Sequence, residues 1–227
     1  MPISGAMVRI KSRDGFEFDA FHVKPQGPRK GGVIVIQEIF GISSHIRDMA
    51  ERFAAEGYEA IAPSMYDRAA PGFAAEPHEV AEYMAKGREL AMGDGPQNAL
   101  SDMGAVFDML KPAGAVNITG YCYGGTMSWL AAAQIDGLAS ASCYYGGNIP
   151  QMADLKNKCP VICHFGEKDA HIPKAGVDAF AVKHPDVPVY WYDADHGFAR
   201  KGGSSYDEAS DKLAFKRTIE LFDKASK

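Results

Sequence analysis

Basic residues are in the minority in this chain. Its 227 residues hold 24 lysines and arginines against 29 aspartates and glutamates, giving a formal charge of −5 and a pI near 5.8. A nucleic-acid partner is therefore not expected, because such a protein normally presents a basic face. Long apolar runs are also missing: none reaches the ~18–20 residues that a membrane-spanning helix needs. The opening MPISGAMVRIKS lacks the charged, then apolar, then small-residue order of a secretory signal. The expectation is a cytoplasmic protein with no membrane partner. Cysteine is scarce, at Cys122, Cys143, Cys159 and Cys163. Their spacing suits neither a disulfide scaffold nor a paired C-x-x-C zinc ribbon, and in a reducing compartment they are free thiols. Repeats, low-complexity tracts and linkers are absent as well. One domain over residues 1–227 is expected, long enough to bury a substantial core.

What is present is an alternation of strand and helix patterns. MVRIKS (7–12) and FEFDAFHV (16–23) form a hairpin around Asp14 and Gly15. VIVIQE (33–38) is the near-continuous β-branched run of a strand covered on both faces. SSHIRDMAERFAAEG (43–57) repeats Ile46, Met49, Ala50 and Phe53 at helical spacing and stops on Gly57. EAIAPS (59–64) is the next strand. Residues 65–96 break the rhythm: PGFAAEP, a weak helix HEVAEYMAKGRELAMG, then DGP. Such an excursion suits a lid or pocket wall. After helix 97–111 come strand 115–122 and helix 124–137. Strands at 138–147, 159–167 and 187–198 follow, with a helix at 173–185 between the last two, and an amphipathic helix closes the chain. The pattern predicts an α/β fold: a mostly parallel sheet of about seven to eight strands, helices on both faces, and the first hairpin antiparallel at one edge.

Ligands in such sheets sit at the carboxyl ends of strands. Four chemically capable groups fall there: Glu38, Cys122, Asp169 and His196. Cys122 lies in GYCYGG (120–125), a G-x-S-x-G nucleophile turn with cysteine in place of serine. Gly120 and Gly124 let the turn close, and the helix behind it favours a thiolate. The N–H of Tyr123 points where an oxyanion would form. Taken alone, the turn leaves Cys122 open between a nucleophile and an inert turn residue. Asp169 in GEKDAHIP and His196 in DADHGF supply an orienting acid and a base, in the chain order of α/β-hydrolases. His45, His78, His164, His171 and His184 read as core or surface histidines, with His171 the rival base. Asp193 and Asp195 read as turn and solvent residues. Glu38 reads either as a carboxylate capping a loop or as a buried group that holds the thiol's proton until substrate arrives.

QEIFG (37–41), Tyr66-x-Arg68 with APG at 70–72, GYCYGG, YYGG (144–147), GEKDAHIP and HGFAR (196–200) together resemble the dienelactone hydrolase family, the carboxymethylenebutenolidases. The resemblance runs from about residue 33 to 200 and implies the α/β-hydrolase fold. It implies a Cys122–Asp169–His196 triad, a contact between Glu38 and the thiol, and an oxyanion hole from the N–H groups of Ile39 and Tyr123. It further implies hydrolysis of an enol lactone to maleylacetate in the breakdown of chlorinated aromatics. A thiolate, a base and N–H donors suffice for that chemistry, so neither metal nor cofactor is expected. The founding enzymes hold the substrate carboxylate with two arginines. Arg200 matches one, and Arg88, in the 65–96 excursion, is the candidate for the other. Tyr145 is expected to wall the pocket. Gly197 stands where the type enzymes have serine. The expected partner is a small lactone or activated ester, with Arg200 favouring an anionic one, and the expected state is a monomer or small homo-oligomer. The alternative is a non-hydrolytic ligand-binding or thiol-sensing protein on the same scaffold.

Overall fold

A computed structural model describes residues 4–76, 80–93 and 95–227. His78 and the start of the helix predicted from it lie outside the described residues, as do the first three residues of the amino-terminal segment. The strands are β1 (Ala6–Lys11), β2 (Glu17–Val23), β3 (Gly31–Ile36), β4 (Tyr58–Pro63), β5 (Val116–Tyr121), β6 (Ser140–Tyr144), β7 (Val161–Gly166) and β8 (Val189–Tyr192). The helices are α1 (Ser44–Ala55), α2 (Ala81–Gly93), α3 (Gly95–Leu110), α4 (Tyr123–Gln134), α5 (Lys174–Lys183) and α6 (Glu208–Ala225).

These strands form one eight-stranded sheet in the order β1-β2-β4-β3-β5-β6-β7-β8. β1 and β2 are antiparallel, β2 is antiparallel to β4, and the rest run parallel. This is the mostly parallel α/β sheet that the alternating pattern predicts, with the antiparallel hairpin at one edge. β3 and β5 are adjacent at the centre of the sheet, and every residue in both is buried. That explains their unbroken apolar or small-residue character: helices cover both faces, and each Val or Ile side chain removed from water stabilises the fold by about 1.5–3 kcal/mol. α1 packs through the predicted stripe of Ile46, Met49, Ala50 and Phe53.

Several polar side chains on β5–β7 are buried and paired, although the Tyr121 hydroxyl has no hydrogen-bond partner. Ser140 Oγ lies 2.7 Å from Asn117 Oδ1, and Thr119 Oγ1 donates to the Ser142 carbonyl at 2.9 Å. His164 Nε2 faces Ser142 Oγ at 3.1 Å, and its Nδ1 faces Tyr192 Oη at 2.8 Å. Burial, with a smaller push from Arg217, drives the His164 pKa down to about 3, so it is a neutral core histidine. His45 is likewise buried, set edge-on to Tyr121 and lowered to about 3 by burial and then by Arg200 and Arg52. Among the described residues no helix is long and apolar enough to cross a membrane.

Candidate active site

The turn from β5 into α4 holds Cys122 at φ 55° and ψ −111°. A non-glycine residue pays about 1–3 kcal/mol for such a conformation and keeps it only when its surroundings enforce it. Cys122 N–H donates to the Tyr144 carbonyl at 3.0 Å, and the Cys122 carbonyl accepts from Thr126 N–H at 3.2 Å. The neighbouring glycines make the close packing possible. A Cβ on Gly120 would strike the Gly124 backbone, one on Gly124 would strike the Ile36 and Gln37 carbonyls, and one on Gly125 would strike the Tyr144 carbonyl.

His196 follows β8 and Asp169 follows β7. His196 Nδ1 lies 2.6 Å from Asp169 Oδ2, and the Asp169 side chain is fully buried. The second carboxylate oxygen, Oδ1, accepts the His171 backbone N–H at 2.8 Å. With Nδ1 committed to Asp169, the other ring nitrogen of His196 is left for the Cys122 side chain. Burial alone would lower the His196 pKa. The hydrogen bonds to Asp169 and Cys122, and the charges there, override it and push the imidazole up to about 10. Burial would raise the Asp169 carboxyl, but the bond and charge of His196, with the His171 N–H, hold it below its ordinary value. The His196 N–H is fixed by Asp195 Oδ1 at 2.6 Å.

Glu38 lies two residues past β3 and is 1 % exposed. Its Oε2 has no hydrogen-bond partner, and Arg200 Nη1 stands 3.8 Å away. Burial raises the Glu38 pKa, while the charges of Arg200 and His196 pull it back. Glu38 Oε2 therefore makes no hydrogen bond to Cys122.

These groups open into one cavity of about 790 Å³. Glu38, Ile39, Cys122, Tyr123, His196 and Arg200 all line it, each on a loop or helix start at the carboxyl edge of the sheet. Arg88 lines it too, from α2. Gly87 seats that helix directly on the Ile39 backbone, where a Cβ would strike the carbonyl. Arg200 is buried, with Phe40 5.2 Å from its guanidinium. His171 reaches the cavity rim, its ring 5.7 Å from that of His196 and nearly perpendicular to it, but it makes no ring hydrogen bond to Asp169.

The expected pocket role of Tyr145 needs correction. Tyr145 is fully buried and does not line the cavity; its ring stands behind His196 at 5.0 Å. A positive φ of 37° breaks the strand alternation there and turns the ring inward. Asp193 is a surface partner of Lys168, as a turn residue should be. Asp195, by contrast, reaches the cavity and positions His196.

Sequence reasoning missed a set of methionines: Met84 and Met92 on α2, Met127 on α4 and Met152 in the turn Pro150–Met152. A signal for part of it was there. Met84, Arg88 and Ala91 recur at i, i+4 and i+7, one face of a helix, and all of them line the cavity. Among the described residues no group of three or more His, Cys, Asp or Glu is placed to hold a metal ion.

Comparison with known proteins agrees with this fold. The model of the dienelactone hydrolase family matches residues 18–226. A Synechocystis protein provisionally named carboxymethylenebutenolidase is 36% identical over 211 residues, 84% of each chain. Carboxymethylenebutenolidase 1 of Cupriavidus pinatubonensis is 29% identical, with 94% of both chains covered. Among solved structures, a Klebsiella pneumoniae protein provisionally named dienelactone hydrolase superposes with a TM-score of 0.84 at 30% identity, over 97% of this chain and 98% of the other.

Proposed function

The chain belongs to the dienelactone hydrolase family, and on that premise we propose that it hydrolyses small lactones or activated esters through Cys122. The observation that carries this reading is the Asp169–His196 hydrogen bond set beside Cys122, which stands on a strained turn facing the cavity. The Cys122 sulfur, paired with the His196 imidazolium, attacks the carbonyl carbon. The carbonyl oxygen takes up negative charge where the N–H groups of Ile39 and Tyr123 can receive it; the latter opens α4, whose amino-terminal end carries positive potential. His196 then gives its proton to the departing oxygen, leaving a thioester on Cys122. Water enters, His196 takes one of its protons, and the resulting hydroxide releases the acid and returns the sulfur to His196. A good leaving group, such as an enolate or phenolate, favours this sequence over amide cleavage.

Asp169 holds the tautomer and orientation of His196 throughout. Arg200 and Arg88 supply positive charge to the cavity, which suits a substrate carrying a carboxylate. Arg200 faces a Glu38 whose burial favours the neutral form. All four cysteines are free, which fits a cytoplasmic enzyme.

The test is chromophore release from p-nitrophenyl acetate by the wild-type chain and by Cys122→Ala. The wild type should show a burst equal to the enzyme concentration, followed by steady turnover, and Cys122→Ala should lose both. Wild-type turnover in the variant would refute the assignment. Alkylation of Cys122 without any ester turnover in the wild type would point to a thiol sensor instead.

A further inference from the structure

We infer that the preferred substrates carry an extended apolar acyl group, aryl or medium-chain alkyl, held in a methionine-lined arm of the cavity. This rests on the hydrolase reading above and adds the substrate class.

The first argument is size. A compact lactone with a short carboxylic arm has about ten non-hydrogen atoms. At no more than about 30 Å³ each, the liquid share of one water, it fills less than half of a 790 Å³ cavity. The remaining space needs an occupant, or ordered water with polar partners. The walls decide between these. Met84 comes from α2, Met127 from the first turns of α4, and Met152 from the turn after β6. Ile39, Phe40 and Ile172 complete the apolar lining. Thioethers and branched alkyl groups offer water almost no hydrogen bonds, whereas an apolar ligand gains by burying surface against them.

The second argument is the choice of methionine. Three separate elements contribute them, α2 supplying Met92 besides Met84, and the unbranched, polarisable side chain adapts to more than one shape. Such a wall fits a class of acyl groups rather than one rigid ring. Asp195, Arg200, Ser204 and Ser205 follow β8, on the His196 side, while Arg88, Thr126 and Asn148 stand on the same segments as the methionines and leave polar points along that wall. The third argument is the order of events. The acyl part stays bonded to Cys122 while the alcohol leaves and water enters. A largely apolar stretch of cavity wall therefore suits the part that remains.

The experiment measures kcat/KM for p-nitrophenyl acetate, butyrate, hexanoate and octanoate, the leaving group being constant. Each methylene buried can raise kcat/KM by up to about fourfold, and a rise of at least tenfold from acetate to hexanoate is expected. Met84→Gln and Met152→Gln keep side-chain length but add a polar amide. Both positions are partly exposed and tolerate the change, and each should lower the hexanoate-to-acetate ratio at least threefold. A chain that hydrolyses the acetate but slows as the acyl group lengthens overturns the assignment and leaves the hydrolase reading standing. A chain that hydrolyses none of them overturns the hydrolase reading. The assignment is then decided by calorimetry on Cys122→Ala: hexanoate binding at least ten times tighter than acetate upholds it, and equal binding ends it.

Discussion

His196 keeps its proton to about pH 10 because two partners hold it from opposite sides, Asp169 at one nitrogen and Cys122 at the other. Removing one partner should show which property each supplies. Asp169→Asn leaves the shape but takes away the charge and frees the tautomer. The His196 pKa should fall from about 10, visible by NMR titration of the imidazole. Ester turnover should drop by roughly a thousandfold or more. An unchanged rate would mean that the Asp169 contact is structural. At this scale the sequence marked which chemically capable groups fall past strand ends: Cys122 follows β5, Asp169 follows β7 and His196 follows β8. It was unreadable where one backbone angle decides. Tyr144 and Tyr145 are consecutive and both are buried, because Tyr145 departs from strand geometry at φ 37°. Glu38 was placed correctly at a strand end, but its pairing with Arg200 depends on two loops whose meeting no local pattern encodes.

Helix α2 buries only Gly87 and Leu90 of its thirteen residues. That thin attachment explains why its periodicity was weak in the sequence. β8 also differed from expectation: it covers Val189–Tyr192 rather than 187–198, because the chain turns away after Tyr192 to bring His196 over the sheet. A pattern of apolar residues cannot mark that departure. Two glycines of α2 give a paired prediction. Gly93 has open space where a Cβ would stand, so Gly93→Ala should stabilise the helix by about 0.5–1 kcal/mol and leave turnover as it is. Gly87→Ala would drive a methyl group into the Ile39 carbonyl. It should lower kcat/KM by about tenfold or more, since small misplacements of a reacting site are costly, while shifting the melting temperature little. Equal activity in the two variants would show that the position of α2 does not reach the Ile39 N–H.

Across the whole molecule, the groups of the site stand on the same edge of one sheet, on segments following β3, β5, β6, β7 and β8, together with α2. Stability and site are therefore linked through pH. The His196 pKa is raised from its ordinary 6.5 to about 10, so the stability it supplies is complete below about pH 6.5 and is lost as pH rises through 10. Asp169 works in the opposite sense: its pKa is lowered, so its contribution is present above pH 3.8 and is lost as pH falls. Between pH 7 and 10 the wild type should lose more melting temperature than Asp169→Asn, by on the order of 5 °C in scanning calorimetry. Parallel curves would mean that the pair adds nothing to the fold.

The contrast between the packed glycine turn and the lightly held α2 bears on descent. Gly120, Gly124 and Gly125 can gain no side chain without backbone collision, so random mutation is barred there whatever the enzyme's diet. Met84, Arg88 and Met92 are attached to little else, so they can be exchanged at small cost. Lineages of this protein can thus change what they digest far faster than how they digest it. A substitute segment for residues 80–93 is the natural unit for breeding new specificities onto the same reactive thiol.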